Sequence, residues 1–321
     1  MPEYWPGKIL FLMNNLLHDI LVITGPTATG KTRLAAMVAD RLGGEVISAD
    51  SRQVYRGMDI GTGKDMSDYT VDGRKVPVHM VDIVDAGYRY NVFEYQRDFL
   101  KVLEEMTARG VFPVVCGGSG MYVDSIVSGY RLVQVPVNEQ LRALLAGRSL
   151  EELTEILSKY KSLHNSTDVD TVKRAVRAIE IADYYASHPV DESPFPVRNP
   201  LVTAVFVDRE TRRHRISERL RTRLAEGMIE EVQRLLAGGI HPDDLIYYGL
   251  EYKYITLYLM NRISREEMIQ KLEVEIHRFA KRQMTWFRGM ERRGIAINWI
   301  DGSMSDGEKV NSILSKLHRI N

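Results

Sequence analysis

Eight consecutive residues, Gly25, Pro26, Thr27, Ala28, Thr29, Gly30, Lys31 and Thr32, have the spacing G-x-x-x-x-G-K-[ST]. Glycines in such a loop let backbone N–H groups converge on an anion, and the helix that follows adds its own N-terminal N–H groups. Lys31 supplies a point charge and Thr32 a hydroxyl ligand for Mg²⁺. The spacing predicts a bound diphosphate, of ATP or of another donor. A chance Gly-rich turn is the bland alternative, and it lacks the strand before and the helix after that this segment has.

A polar cluster, Ser48-Ala-Asp50-Ser51-Arg52-Gln53-Val-Tyr55, follows the next strand-like run at its carboxyl end, where open α/β sheets place their ligands. A carboxylate there can accept the proton of an incoming nucleophile, which makes Asp50 a candidate general base. Asp50 or Ser51 capping the next element is the equal alternative, since Asp and Ser favour turns and caps. The Gln53 amide offers a paired donor and acceptor for a base edge, although an exposed amide is the commoner fate. Asp82 ends an expected apolar strand over Pro77 to Ile83, where it orients a metal's water shell or caps a turn. Ser119 sits in Gly117-Gly-Ser-Gly120 after a further strand, as a ligand-facing hydroxyl or as part of a plain glycine turn.

Cations are concentrated in three places. Arg212, Arg215, Arg219 and Arg223 recur at steps of three and four, a stripe of forked donors that clamps phosphates or pairs with Glu218 and Glu226 in solvent. His277 to Arg288 interleaves Lys281, Arg282 and Arg288 with Phe279, Trp286 and Phe287. The aromatics are expected to be mostly core and the cations to meet RNA. Lys173, Arg174 and Arg177 form a third patch.

These residues need a scaffold. The apolar run Asp19 to Thr24, the phosphate loop and the helix formers Thr32 to Leu42 open an α/β unit. Apolar segments at Glu45 to Ser48, Pro77 to Val84 and Phe112 to Cys116 alternate with an amphipathic stretch from Val92 to Arg109. In that stretch Phe93, Phe99, Val102, Leu103 and Met106 share a face. Residues 136–186 lack a strand-like run and carry Leu141, Leu144, Leu145, Leu150, Leu153, Ile156 and Leu157 at helical spacing, which predicts a helical insertion. Pro189, Pro194, Pro196 and Pro200 mark its exit. Leu201 to Val207 resumes the sheet. Helices follow over Thr211 to Ala237 and Ser264 to Arg293, and a strand closes at Ile295 to Ile300. The expected division is a core over 19–130, an insertion over 131–200 and a return to the core over 201–321.

With 321 residues, 44% hydrophobic and 27% charged, the chain can bury a full core. Its 43 basic and 43 acidic residues cancel, so net charge says nothing about nucleic acid. One cysteine, Cys116, excludes an internal disulfide and a cysteine-rich zinc site, and its apolar surroundings predict a buried thiol in a reducing compartment. Ile9 to Met13 is too short to span a bilayer. Residues 1–18 read as an extension or a misassigned start, and the protein as cytoplasmic.

Taken in order, GPTATGKT, SADSRQVYRGMDIGTGK, GGSGMY, RAVRAIEI, LAEGMIEEV and FAKRQMTWFR resemble the tRNA dimethylallyltransferase family across nearly the whole chain. The resemblance implies a P-loop NTPase-like parallel sheet with flanking helices and a helical insertion. Its cradle holds dimethylallyl diphosphate with Mg²⁺, and an adenosine 3′ of the anticodon is flipped in from the opposite side. It implies Asp50 as the base for N6, Gln53 as a reader of the adenine, Arg215 on the leaving diphosphate and Ser119 near the reacting centre. The tRNA anticodon stem-loop is then expected to meet Asp50, Ser51, Arg52, Gln53, Ser119, Arg142, Lys173, Arg174, Arg177, Arg219, Lys281 and Arg282, on a monomer. Ser119 stands where the family usually has threonine, and serine keeps the hydroxyl.

Three other readings share parts of this pattern. An adenylate dimethylallyltransferase resembles the core but has no use for the helical insertion and basic patches. A P-loop kinase or NTPase needs GPTATGKT alone, and an RNA-binding module leaves Lys31 and Asp50 without purpose.

Overall fold

The computed structural model describes residues 17–129, 131–160, 169–188, 195–197 and 199–318. Strand β1 (Ile20–Thr24) is buried along its whole length, as a strand without a polar face must be. After it come α1 (Lys31–Leu42), β2 (Glu45–Ser48), β3 (Val78–His79), α2 (Val92–Ala108), β4 (Pro113–Cys116) and α3 (Gly120–Val127). Three helices follow: α4 (Glu139–Leu145), α5 (Leu150–Tyr160) and α6 (Val172–Ser187). The chain then forms β5 (Pro200–Phe206), α7 (Arg209–Ala225), α8 (Met228–Ala237), α9 (Pro242–Tyr248) and α10 (Leu250–Leu259). It closes with α11 (Arg265–Arg292), β6 (Ile297–Asp301) and α12 (Asp306–Leu317).

The six strands lie in the order β6-β5-β1-β4-β2-β3, and every pairing is parallel. Two cores sandwich the sheet, and the two-residue period of β1 feeds both. Ile20 and Val22 pack with Tyr95, Phe99 and Ile216, while Leu21 and Ile23 pack with Leu34, Ala35 and Ile313. The fold is α/β, a P-loop-like parallel sheet with flanking helices, as the sequence predicts. The arrangement brings the carboxyl ends of β1, β2 and β4 together, so the three loops that leave them are neighbours.

Several elements depart from expectation. The strand expected over Pro77 to Ile83 is only two residues long, because Met80 and Asp82 turn the chain out of the sheet with φ of 62° and 55°. The long helix expected from Thr211 breaks at Gly227, whose φ of 101° no helix tolerates. In α2 the buried stripe is Tyr95, Gln96, Phe99, Leu103 and Met106, while Phe93 and Val102 are half-buried.

The described residues between 131 and 188 form one compact unit, and those up to 129 and from 195 onward form another. The smaller unit has its own core of Leu145, Leu153, Leu157, Ala175, Ala178 and Ile179, whereas Leu144 is 72% exposed. The N-terminal stretch 1–16 and, within the proline-rich exit, residues 189–194 and 198 lie outside the described residues. Among the described residues no helix is long and apolar enough to cross a membrane.

Candidate active site

The phosphate loop joins β1 to α1 through Gly30, which caps the helix with φ 77° and contributes no side chain. A helix start of this kind leaves its first N–H groups to be satisfied by a ligand. Thr29 closes the loop internally, its hydroxyl donating to the Pro26 carbonyl at 2.9 Å. Lys31 Nζ lies 3.5 Å from the same carbonyl. Thr32 neighbours the buried Cys116, whose thiol burial pushes up to about 12.

Arg219 reaches into the loop from α7, and its guanidinium donates to the Thr27 hydroxyl. Lys31 and Arg219 share an electrostatic neighbourhood with Arg223, Asp50 and Glu251. Burial lowers the Lys31 ammonium below its ordinary value, and Arg219 and Arg223 lower it further against the opposing pull of Cys116 and Asp50. Burial and Arg223 bring the Arg219 guanidinium down to about 10. Burial raises Glu251 against the two arginines. Lys31, Arg219 and Arg223 thus form a cluster of cations that a bound anion would stabilise.

Asp50 begins the loop after β2. One carboxylate oxygen accepts the Arg52 backbone N–H at 2.9 Å, so Asp50 does cap a local turn. Capping uses one oxygen and leaves a carboxylate with further acceptor capacity. Ser119, after β4, accepts the Ser51 backbone N–H at 2.9 Å and donates to the Ser51 hydroxyl at 3.2 Å. Gln53 is buried: its amide donates to the Gly63 carbonyl at 3.2 Å and its oxygen lies 3.4 Å from the Ser48 hydroxyl. The Arg52 guanidinium stacks over Tyr247, 5.8 Å from the ring centroid.

Other expected residues have different surroundings. Arg215 is exposed, one turn before Arg219 on α7. Asp82 binds the buried ammonium of Lys64 at 2.5 Å, together with Asp59 at 2.6 Å. In the smaller unit Arg142 forks onto Glu180 at 2.8 and 3.0 Å, and Arg177 meets the same carboxylate at 3.0 Å. Arg174 pairs with Asp170, and Lys173 is exposed. On α11, Lys281 and Arg282 are exposed; Phe287 is buried, while Phe279 is exposed beneath the Arg282 guanidinium.

Three residues not singled out by the sequence patterns also hold the site together. Gln283 is buried on α11, accepting the Thr27 backbone N–H at 2.9 Å and donating to the Gly118 carbonyl at 2.8 Å. Glu231 on α8 accepts the N–H groups of Asp59, Ile60 and Gly61 and the Tyr252 hydroxyl, all between 2.7 and 3.0 Å. Glu251 completes the charged pocket. Gln283 carried a legible signal: it falls in the inward stripe of Ile276, Ala280, Met284 and Phe287, where a polar residue needs a partner.

The IPP transferase family model matches residues 53–290. The sequence is 61% identical over 300 residues to tRNA dimethylallyltransferase 2 of Bacteroides fragilis, covering 94% of this chain and 98% of that protein. It is 54% identical over 301 residues to tRNA dimethylallyltransferase 1 of Parabacteroides distasonis, with the same coverage of 94% and 98%. Among solved structures, the full-length tRNA isopentenylpyrophosphate transferase of Bacillus halodurans matches with a TM-score of 0.68 and 31% identity, over 93% of this chain and 95% of that one. A eukaryotic dimethylallyltransferase acting on tRNA matches with a TM-score of 0.69 at 19% identity, over 88% of this chain and 73% of that one, a likeness of fold.

Proposed function

The chain belongs to the IPP transferase family, and on that premise we propose that it transfers a dimethylallyl group from dimethylallyl diphosphate to N6 of the adenosine 3′ of the anticodon in tRNA, forming N6-dimethylallyladenosine and diphosphate. The observation that carries this reading is the shared neighbourhood of Asp50 with Lys31 and Arg219: a candidate base stands beside the phosphate cradle, so both ends of one displacement fit there.

In the proposed reaction N6 attacks the allylic carbon, the carbon–oxygen bond to diphosphate breaks, and the N6 proton passes to Asp50. Lys31, Arg219 and Arg223 take up the negative charge that grows on the departing oxygen. Arg215, exposed on the preceding turn, is a further arginine proposed for the diphosphate. Ser119 and Ser51 fix the loop that carries Asp50, with the hydroxyl of Ser119 at the reacting centre. The exposed cations Lys281 and Arg282, with Lys173, are proposed for the RNA backbone.

Mg²⁺ belongs to the reading as the ion that neutralises the diphosphate. Thr32, the second residue of α1, would offer its hydroxyl to the ion at the start of the helix. A monomer in the cytoplasm completes the proposal.

Incubation with Mg²⁺, labelled dimethylallyl diphosphate and either unmodified tRNA or AMP, followed by nucleoside mass spectrometry, tests it. Prenyl-adenosine in tRNA alone is expected. Label in AMP instead points to a free-nucleotide acceptor, and ATP turnover without transfer returns the cradle to an NTPase.

A further inference from the structure

We propose that Gln283 is a positioning residue that registers the diphosphate cradle against the turn carrying Ser119. The inference deepens the prenyl-transfer reading and rests on it.

Gln283 projects from α11 between two loops that come from different strands. Its Oε1 accepts the Thr27 backbone N–H at 2.9 Å, and its Nε2 donates to the Gly118 carbonyl at 2.8 Å. Those two partners fix the amide orientation, since an N–H can only donate and a carbonyl can only accept. One rigid planar group thus spans the donor side and the acceptor side of the site. Thr27 is also the residue whose hydroxyl receives Arg219, so the Gln283 contact bears on the arginine as well as on the loop.

Packing around the turn leaves little slack. A Cβ at Gly118 would come within 2.7 Å of Gln283 Nε2 and 3.4 Å of Lys31 Cε. A Cβ at Gly120 would come within 2.3 Å of the Trp286 ring. Residues three apart on α11 therefore press on the two glycines that flank Ser119, and both lie on the same helical face. The turn can approach α11 only because those two residues are glycines. Ser119 in turn holds Ser51, next to Asp50. The chain of contacts runs from the cradle through Gln283 to Ser119 and the loop of the base, so its loss shifts donor and acceptor relative to each other.

Reaction rates are sensitive to such shifts, and a displacement of about 1 Å can slow a reaction about 100-fold. Gln283→Leu keeps the volume and removes both hydrogen bonds. Gln283→Glu keeps the acceptor for Thr27, loses the donor to Gly118 and adds a negative charge beside the cradle. The experiment measures, for each variant and the wild type, the single-turnover transfer rate at saturating dimethylallyl diphosphate and tRNA, tRNA affinity, affinity for inorganic diphosphate with Mg²⁺, and the melting temperature.

Gln283→Leu is expected to slow single-turnover transfer about 10- to 100-fold and to weaken inorganic diphosphate about fivefold or more by disturbing the cradle. Its tRNA affinity is expected to stay within about threefold. Gln283→Glu should weaken inorganic diphosphate at least as much as Gln283→Leu and transfer slowly, with tRNA affinity within about threefold of wild type, a split that loss of folding does not produce. Transfer within about threefold of wild type in Gln283→Leu, or rate, tRNA affinity and diphosphate affinity falling in parallel in both variants, overturns the proposal. If the wild type transfers no prenyl group, the function proposed above has failed, and the diphosphate affinities of the two variants still decide whether Gln283 holds the cradle.

Discussion

Ser119 and Ser51 hold each other across the carboxyl ends of β4 and β2: the Ser119 hydroxyl accepts the Ser51 N–H at 2.9 Å and donates to the Ser51 hydroxyl at 3.2 Å. The loop that begins with Asp50 is therefore tied to a neighbouring strand and does not depend on its own turn alone. Ser119→Ala removes both contacts and is expected to lower the transfer rate about tenfold, with donor affinity little changed. Ser119→Thr keeps the hydroxyl and should retain most activity. Steady-state kinetics with each substrate varied in turn checks both.

Arg219 touches the cradle through Thr27 and is one of three cations in a pocket where burial lowers Lys31 and Arg219 alike. Arg219→Ala is expected to weaken donor binding and slow transfer by a combined factor of about 100, of the size seen when one stabilising donor is lost. Arg219→Lys restores the charge without the planar fork and should recover only part of it. Titration with inorganic diphosphate separates the binding share from the kinetic share.

Glu45, at the start of β2, receives both arms of Arg109 at 2.7 Å and His79 at 2.7 Å. The Arg109 hydrogen bonds lead in holding its carboxyl down at about 2, with burial opposing and His79 assisting. The native carboxyl thus binds a proton less readily than an unfolded one near 4.5, so its contribution is complete above about pH 4.5 and fades as pH falls toward 2. Glu45→Gln should lose about 2–3 kcal/mol at neutral pH and much less at pH 3. Denaturant melts at both values measure the difference.

Glu231 ties the 59–61 loop to α8 by accepting three backbone N–H groups and the Tyr252 hydroxyl. Its replacement by Ala leaves the Gly61 N–H and the Tyr252 hydroxyl buried without a partner and unpairs the part-buried N–H groups of Asp59 and Ile60. A loss of about 3 kcal/mol or more follows from that mechanism, and Glu231→Gln, which keeps an acceptor, should cost less. Both are read from urea midpoints.

Much of this was legible in the residues. The phosphate loop, the parallel sheet and the ordered set of phrases are local patterns with a fixed spacing, and the fold carries them as read. What the sequence hid depends on contacts between distant segments. Gln283 meets Thr27 and Gly118, which lie 256 and 165 residues away, and no periodicity in α11 names those partners. Asp82 reads from the sequence as a neighbour of a metal's water shell or as a turn cap, and in the fold it holds Lys64, whose side chain is buried between two carboxylates and the Tyr55 carbonyl. Arg142 and Arg177 are expected at tRNA from the family resemblance, and in the fold both converge on Glu180, a buried carboxylate. Charge type is visible in a sequence, whereas the partner that neutralises it is set by tertiary packing.

The most direct test of the account is a comparison of wild type with Asp50→Ala, reading single-turnover formation of prenyl-adenosine in tRNA by mass spectrometry beside tRNA affinity measured on the same preparations. With Asp50 as the base, a rate loss of about 100- to 10,000-fold is expected, the range for removal of a general base, with tRNA affinity nearly intact. A variant that transfers at close to the wild-type rate once tRNA is saturating, its defect residing in binding alone, contradicts the assignment of Asp50 as the group that takes the N6 proton.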